Sequence, residues 1–338
     1  MSGKTVEKVS FYKYLGLILD YSLDFNTTAK VLGDSGGRAL GAVINKFISN
    51  RGLGFNTYSK LYNSTVCPIL DYCAGIWGFH NFGSIDIVQN RAARFYLGVH
   101  KFAPNLGINS EMGWVSRDVY RKVDMIRFWN RLQCTNENRL LKKVFKWDKR
   151  LSKKNWSYEM KTVCNDLNML TSFNEDLCIN VKIAKDHLCE LQNSRWLYEM
   201  SIVPKLRFFS LFKSCYKSEH YVSSISNRKK RSLLAQLRLG ILPLNIETGR
   251  YQDIPIEYRF CLYCSQNCVE SEMHFMLYCD KYNDLRFNLF NEARVNYPLL
   301  DVMEPEVIIR LLMSDSVIKF TANYICKAYE RRQCATYV

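Results

Sequence analysis

Between Cys261 and Cys279 the chain reads C-x2-C-x9-H-x4-C, and no other stretch limits the fold so tightly. Two cysteines separated by two residues can turn both sulfurs toward one point. His274 and a third cysteine then complete a Cys3His shell of the kind that holds Zn2+ in a tetrahedron. The candidate ligands are Cys261, Cys264, His274 and Cys279. Four protein ligands leave no open coordination position, so the expected role of the zinc is structural; a catalytic zinc keeps three protein ligands and a water. Cys268 lies close enough in sequence to compete with Cys264, but using it breaks the tight first pair, so it is read as free. Arg259 and Lys281 flank the motif and could offset the net negative charge of three thiolates around a divalent ion.

The remaining composition sets broad limits. With 338 residues and 48% hydrophobic content, the chain can bury a substantial core, in two or three packing units rather than one. Lys and Arg number 47 against 32 Asp and Glu, a formal charge of +15, which makes nucleic-acid phosphates or another acidic surface the expected partner. Thirteen cysteines form an odd set in a long chain, and no signal-like apolar segment follows Met1. The expected setting is therefore reducing and intracellular, the nucleus and cytoplasm, with the cysteines outside the motif acting as small buried hydrophobes. No stretch reaches the roughly 18 uncharged apolar residues of a membrane span, so no membrane partner is expected.

Residues 9–20 are rich in aromatic and branched side chains and are broken at Gly16, which predicts short strands of a hairpin or sheet edge. Residues 26–49 carry Val31, Leu40, Val43, Ile44, Phe47 and Ile48 in a near-helical rhythm. Inside that helix stands Gly33-Asp34-Ser35-Gly36-Gly37, the letters that surround the nucleophile of trypsin-like proteases. A nucleophilic serine needs a histidine base, an orienting carboxylate and an oxyanion hole. This pentad interrupts a helical pattern instead, so it is read as small residues at a close helix packing, costing about 1 kcal/mol per glycine in propensity. A second helix runs over 58–77, interrupted at Pro68, and a third over 85–99 with Arg91 and Arg94 reaching outward. Short connections between such pieces suggest a helical bundle.

From Ser116 the helices become basic. Val119, Val123 and Ile126 share one side, while Arg117, Arg121, Arg127 and Arg131 fall across the other. Lys142, Lys143 and Lys146 continue the excess, with Trp147 and Trp156 interleaved. Such cations neutralise phosphates and such rings stack on unpaired bases; the plain counter-reading is a solvated face over buried aromatics. Further helices are expected over 158–170, 174–191, 280–294 and 304–333. Arg228, Lys229, Lys230 and Arg231 open another helix and read either as phosphate contacts, as a nuclear-import signal, or simply as a basic helix entrance.

Several segments, in order, resemble one family: the carboxy-terminal part of reverse transcriptases of LINE-type non-LTR retrotransposons. They are Phe11-Tyr-Lys-Tyr-Leu-Gly-Leu-Ile-Leu-Asp20, Arg38-Ala-Leu-Gly41, Leu61-Tyr62, Cys67-Pro-Ile-Leu-Asp-Tyr72, Trp77 and Gln89-Asn-Arg-Ala-Ala-Arg94. Leu237-Arg-Leu-Gly240, Ile246-Glu-Thr-Gly-Arg250 and the cysteine motif with Glu272, Tyr282 and Arg286 continue the series. The resemblance is weakest between about 135 and 225. It implies a mainly α fold: a thumb-like helical bundle, a short N-terminal β hairpin and a C-terminal helical domain carrying a zinc knuckle. The implied division is a palm-end hairpin remnant at 1–25, a helical thumb-like domain at 26–135, a basic helical linker at 136–225, and the C-terminal domain at 226–338 with its CCHC knuckle at 261–279.

One departure matters as much as the match. Polymerases of this family hold two metal ions with palm aspartates that include an adjacent Asp-Asp pair, and no Asp-Asp dipeptide occurs in these 338 residues. The expectation is a non-catalytic fragment that binds RNA or an RNA–DNA template–primer, with an intact retrotransposon polymerase as a further partner in trans. The alternatives are a zinc-stabilised protein-interaction module and an inert remnant.

Overall fold

The computed structural model describes residues 8–151 and 153–335. Two strands, β1 (Phe11–Tyr14) and β2 (Leu17–Asp20), pair antiparallel with Tyr14 opposite Leu17. The two-residue turn between them, Leu15 and Gly16, takes positive φ at both positions, the geometry that matches the twist of a hairpin. The named elements after it are helices: α1 (Asn26–Ser49), α2 (Phe55–Leu61), α3 (Cys67–Leu70), α4 (Ala74–Trp77), α5 (Gly83–Leu97), α6 (Asn105–Met112), α7 (Arg117–Gln133), α8 (Leu140–Arg150) and α9 (Trp156–Asp166). The chain continues through α10 (Leu170–Asn174), α11 (Val181–Ile202), α12 (His220–Ser224), α13 (Arg228–Arg238), α14 (Asn245–Thr248), α15 (Asn283–Asn296), α16 (Pro305–Leu312) and α17 (Ile318–Ala335). The mainly α fold with a short N-terminal hairpin is the one expected. Among the described residues, no helix is long and apolar enough to cross a membrane.

Local differences from the sequence reading have local causes. Pro68 has no N–H to return to Ser64, and the expected single helix over 58–77 becomes α2, a π turn at Tyr62–Val66, α3 and α4. The expected helix over 304–333 breaks at Ser314-Asp315-Ser316, where Tyr297 Oη bonds Ser314 Oγ at 3.0 Å and Ser316 Oγ at 3.2 Å. Helix α6 was not anticipated.

The glycine pentad does what close packing asks of it at two positions. A Cβ at Gly33 would lie 2.8 Å from the Ser84 carbonyl oxygen, and one at Gly36 would lie 2.3 Å from Leu70 Cδ2; Gly37 faces open space. The pentad stays helical throughout, which leaves the trypsin-like nucleophile turn without a counterpart here.

The described residues form two compact units, each drawn from separated stretches. One combines Met1–Ser49, Ser59–Gln89 and Val115–Gln192; the other combines Asn50–Tyr58, Asn90–Trp114 and Asn193–Val338. In the first unit, Val123, Ile126 and Trp129 of α7 pack with Phe145, Met160, Val163, Phe173 and Leu188. Trp129 stacks on Phe173 at 5.0 Å between ring centroids and donates its indole N–H to the Leu177 carbonyl at 2.9 Å. In the second unit, Tyr58 stacks on Tyr96 and on Trp114, and α13 packs along α17. Arg238 of α13, fully buried, forks onto Glu111 of α6 at 2.9 and 3.1 Å and reaches Glu219 at 2.8 Å.

Candidate metal centre

The cysteine motif is held by three small devices, all in the second unit. Phe260 and Val269 form an isolated antiparallel bridge, and Cys261 N–H donates to the Cys268 carbonyl at 2.9 Å. This folds residues 261–268 into a tight knuckle and presents Cys261 and Cys264 together. Ser271 Oγ accepts from His274 N–H at 3.1 Å and starts the turn that follows. That turn, His274–Tyr278, is π-helical, and its closing bond runs from Cys279 N–H to the His274 carbonyl at 2.9 Å. The wider ring of a π turn keeps residues five apart on one side, so His274 and Cys279 both face the knuckle.

The four donor atoms lie within 4.8 Å of one another and could hold a metal ion. Cys261 Sγ is 3.9 Å from Cys279 Sγ, and Cys264 Sγ is 3.5 Å from His274 Nε2. Cys261, His274 and Cys279 are buried and Cys264 is half-buried. Backbone N–H groups of Tyr263, Gln266 and Lys281 reach the sulfurs of Cys261, Cys264 and Cys279 respectively, an arrangement that favours thiolates. The bond from Cys279 holds the Cys261 thiol down at about 4, while Cys279, the donor, is pushed far up by the same bond and by burial. Burial and the neighbouring Cys261 raise Cys264. Sulfurs this close give up one proton easily and the rest only if a cation joins them.

Cys268 stands outside the four, as expected, but it is not idle. Its Sγ lies 3.1 Å from His274 Nδ1 and 3.9 Å from Nε2. Arg259 departs from expectation: its guanidinium donates to the carbonyls of Ile254 and Ile246 at 2.8 and 2.7 Å and braces the preceding loop. Lys281 reaches Cys279 through its backbone N–H, and its side chain is exposed.

The supports that the sequence did not disclose come from far along the chain. Arg332 of α17 forks onto the buried Glu270 at 2.9 and 3.0 Å and covers the Tyr263 ring at 4.6 Å. Glu270 also accepts from Asn245 N–H at 2.6 Å. Tyr324 Oη donates to the Phe275 carbonyl at 2.7 Å, and Arg286 donates to the Met276 and Cys279 carbonyls at 3.0 and 2.7 Å. These bonds satisfy carbonyls that a π turn leaves open. Nothing in the local spacing links residues 270 and 332; only the third dimension does.

The basic candidates divide sharply by position. Arg117, Arg121, Lys142 and Arg231 are buried and unable to reach a phosphate. Arg117 pairs with Asp71. Arg121 is sealed beside Trp77 and Phe82 with Asn81 as its hydrogen-bond partner, and burial lowers its pKa. Lys142 donates to the Leu132 and Gln133 carbonyls at 2.9 and 3.3 Å, placing its cation at the C-terminal end of α7. Arg231 donates to the carbonyls of Tyr96 and Ile225. Arg117 and Arg121 sit on the inner face because α7 is enclosed on more sides than an amphipathic surface helix. Arg91, Arg127, Arg131, Lys143, Lys146, Arg228 and Lys229 are exposed, and Arg94 and Lys230 are half-buried. Arg127 pairs with Asp124 at 2.7 Å, Lys146 with Glu137, and Lys229 with Glu330 at 2.6 Å. Arg131 lies over the Phe128 ring, and Arg94 donates to the Ala103 carbonyl. No protein-family model, no curated protein and no solved structure matches this chain.

Proposed function

We propose that the chain is a non-catalytic, zinc-pinned module that grips RNA or an RNA–DNA template–primer, corresponding to the carboxy-terminal part of a LINE-type reverse transcriptase. The observation that carries the metal is the spacing of its donors. A tetrahedral ion with Zn–S bonds of about 2.3 Å and Zn–N of about 2.0 Å sets ligand atoms about 3.5–3.8 Å apart. Cys264 Sγ and His274 Nε2 stand 3.5 Å apart and the Cys261 and Cys279 sulfurs 3.9 Å apart. The soft three-sulfur, one-nitrogen set suits zinc, and four protein ligands make its role structural.

The grip rests on the exposed cations of the first unit. Arg127 and Arg131 on α7 and Lys143 and Lys146 on α8 are exposed, and Trp147, also exposed, offers a ring for an unpaired base. No adjacent aspartate pair is present to hold catalytic metal ions. A second reading is favoured by the same helix: Leu140, Val144 and Trp147, spaced on one side of α8, are exposed apolar residues that suit a protein partner instead.

The deciding experiment is a salt titration of binding to a labelled RNA hairpin and to an RNA–DNA template–primer. Phosphate contact makes log affinity fall linearly with log salt, by close to one unit of slope per contact. A flat line, or no binding, removes the nucleic-acid reading and leaves the protein-partner one. Primer extension by the purified chain would overturn the non-catalytic part.

A further inference from the structure

We propose that Cys134 and Cys178 are a redox site: a facing pair of thiols that a small disulfide oxidant, of the oxidised-glutathione class, converts into an intramolecular disulfide. Their sulfurs lie 3.9 Å apart across 44 positions of sequence, and both residues are exposed. Neither belongs to the metal cluster, whose ligands lie in the other compact unit.

The approach of the two sulfurs is enforced from both sides. Cys134 ends α7, its N–H bonded to the Asn130 carbonyl at 3.1 Å. Cys178 sits in the loop before α11, and the residues on either side of it are tied to that same end of α7. Trp129 donates to the Leu177 carbonyl at 2.9 Å, while Asn130 exchanges two bonds of 2.8 Å with the backbone of Ile179. Two residues earlier, Asp176 accepts from Gln133 at 3.3 Å and pairs with Lys149 at 2.6 Å. Cys178 can rotate its side chain without giving up these backbone ties, and closing the sulfurs to bonding distance of about 2.05 Å needs less than 2 Å of combined travel.

The chemistry balances without another reactant. One cysteine thiolate attacks the glutathione disulfide, forming a mixed disulfide and releasing one glutathione thiolate. The second cysteine thiolate attacks the protein sulfur of that mixed disulfide and releases the other. Two protein thiols are oxidised, one disulfide is reduced, and the two protons leave with the two glutathiones. The product closes a loop that contains α8, α9 and α10 and fixes the end of α7 to the start of α11.

The test uses the full, zinc-loaded chain incubated with excess oxidised glutathione, alkylated and mapped by mass spectrometry. The expected result is a peptide joining Cys134 to Cys178, lost on treatment with dithiothreitol, and a thermal midpoint that is higher in the oxidised form. In Cys134→Ser the link disappears and Cys178 carries a glutathione adduct. Recovery of both cysteines of the unsubstituted chain as free thiols, as separate adducts, or joined to other cysteines overturns the proposal.

Discussion

At the scale of single residues, the candidate metal centre separates the four donors from the groups that surround them. Cys261→Ser and His274→Ala each remove a donor, so metal analysis of either purified variant should find no tightly bound zinc, and the knuckle should lose its protease resistance. Cys268→Ala should keep one zinc per chain, because its sulfur is not among the four clustered donor atoms, while weakening affinity by about 10–100-fold through a less constrained ring. Equal zinc content in all three would remove the assignment. A second test concerns Glu219. Burial alone would raise its carboxyl, but Arg238 and Lys213 outweigh it and hold the carboxyl below its ordinary value of 4.5. A depressed carboxyl stabilises the fold fully above pH 4.5 and loses that contribution as pH falls through the folded value. Glu219→Gln should therefore lower the urea midpoint near neutrality, with the gap to the parent protein narrowing below pH 4.5. A gap that stays constant would show that Glu219 acts by shape and not by charge.

At the scale of elements, two glycines of α1 make opposite predictions four positions apart. Gly37→Ala should stabilise by about 0.5–1 kcal/mol, since it gains helix propensity and meets nothing. Gly33→Ala gains the same propensity but presses on the Ser84 carbonyl, a backbone atom that cannot swing aside, and should cost a net 1–3 kcal/mol or so in thermal or urea unfolding. Which elements could be read beforehand follows the same physics. The hairpin, α1, α5, α7 and α13 announced themselves because capping residues and apolar rhythm are local. The π turns and the break between α16 and α17 did not, since a missing N–H at Pro68 shows where a helix falters but not how far upstream it opens. The cluster of four candidate donors was legible because C-x2-C is a local geometry. Arg332, which secures Glu270, was not, because nothing nearby in sequence marks its destination. Arg117 and Arg121 were misplaced for a related reason: charge argues for water only when no buried partner or aromatic wall is waiting.

At the scale of the whole molecule, binding to phosphates should depend on exposed cations and ignore buried ones. Replacing Arg127, Arg131, Lys143 and Lys146 with alanine should flatten the salt dependence of RNA affinity, by close to one unit of slope for each contact removed, and leave the thermal midpoint nearly unchanged. Arg121→Ala should do the reverse, costing stability while leaving the slope alone, because its guanidinium never meets solvent. If Arg121→Ala changed the slope and the fourfold variant did not, the proposed surface would be wrong. The interleaving of the two units has a practical corollary for anyone dissecting the molecule. A shortened version beginning at residue 226 would keep every metal donor yet discard Glu111, Tyr96 and Glu219, stranding the guanidiniums of Arg238 and Arg231 in an interior they were never meant to face alone. Sequence continuity is a poor guide to where this protein can be cut.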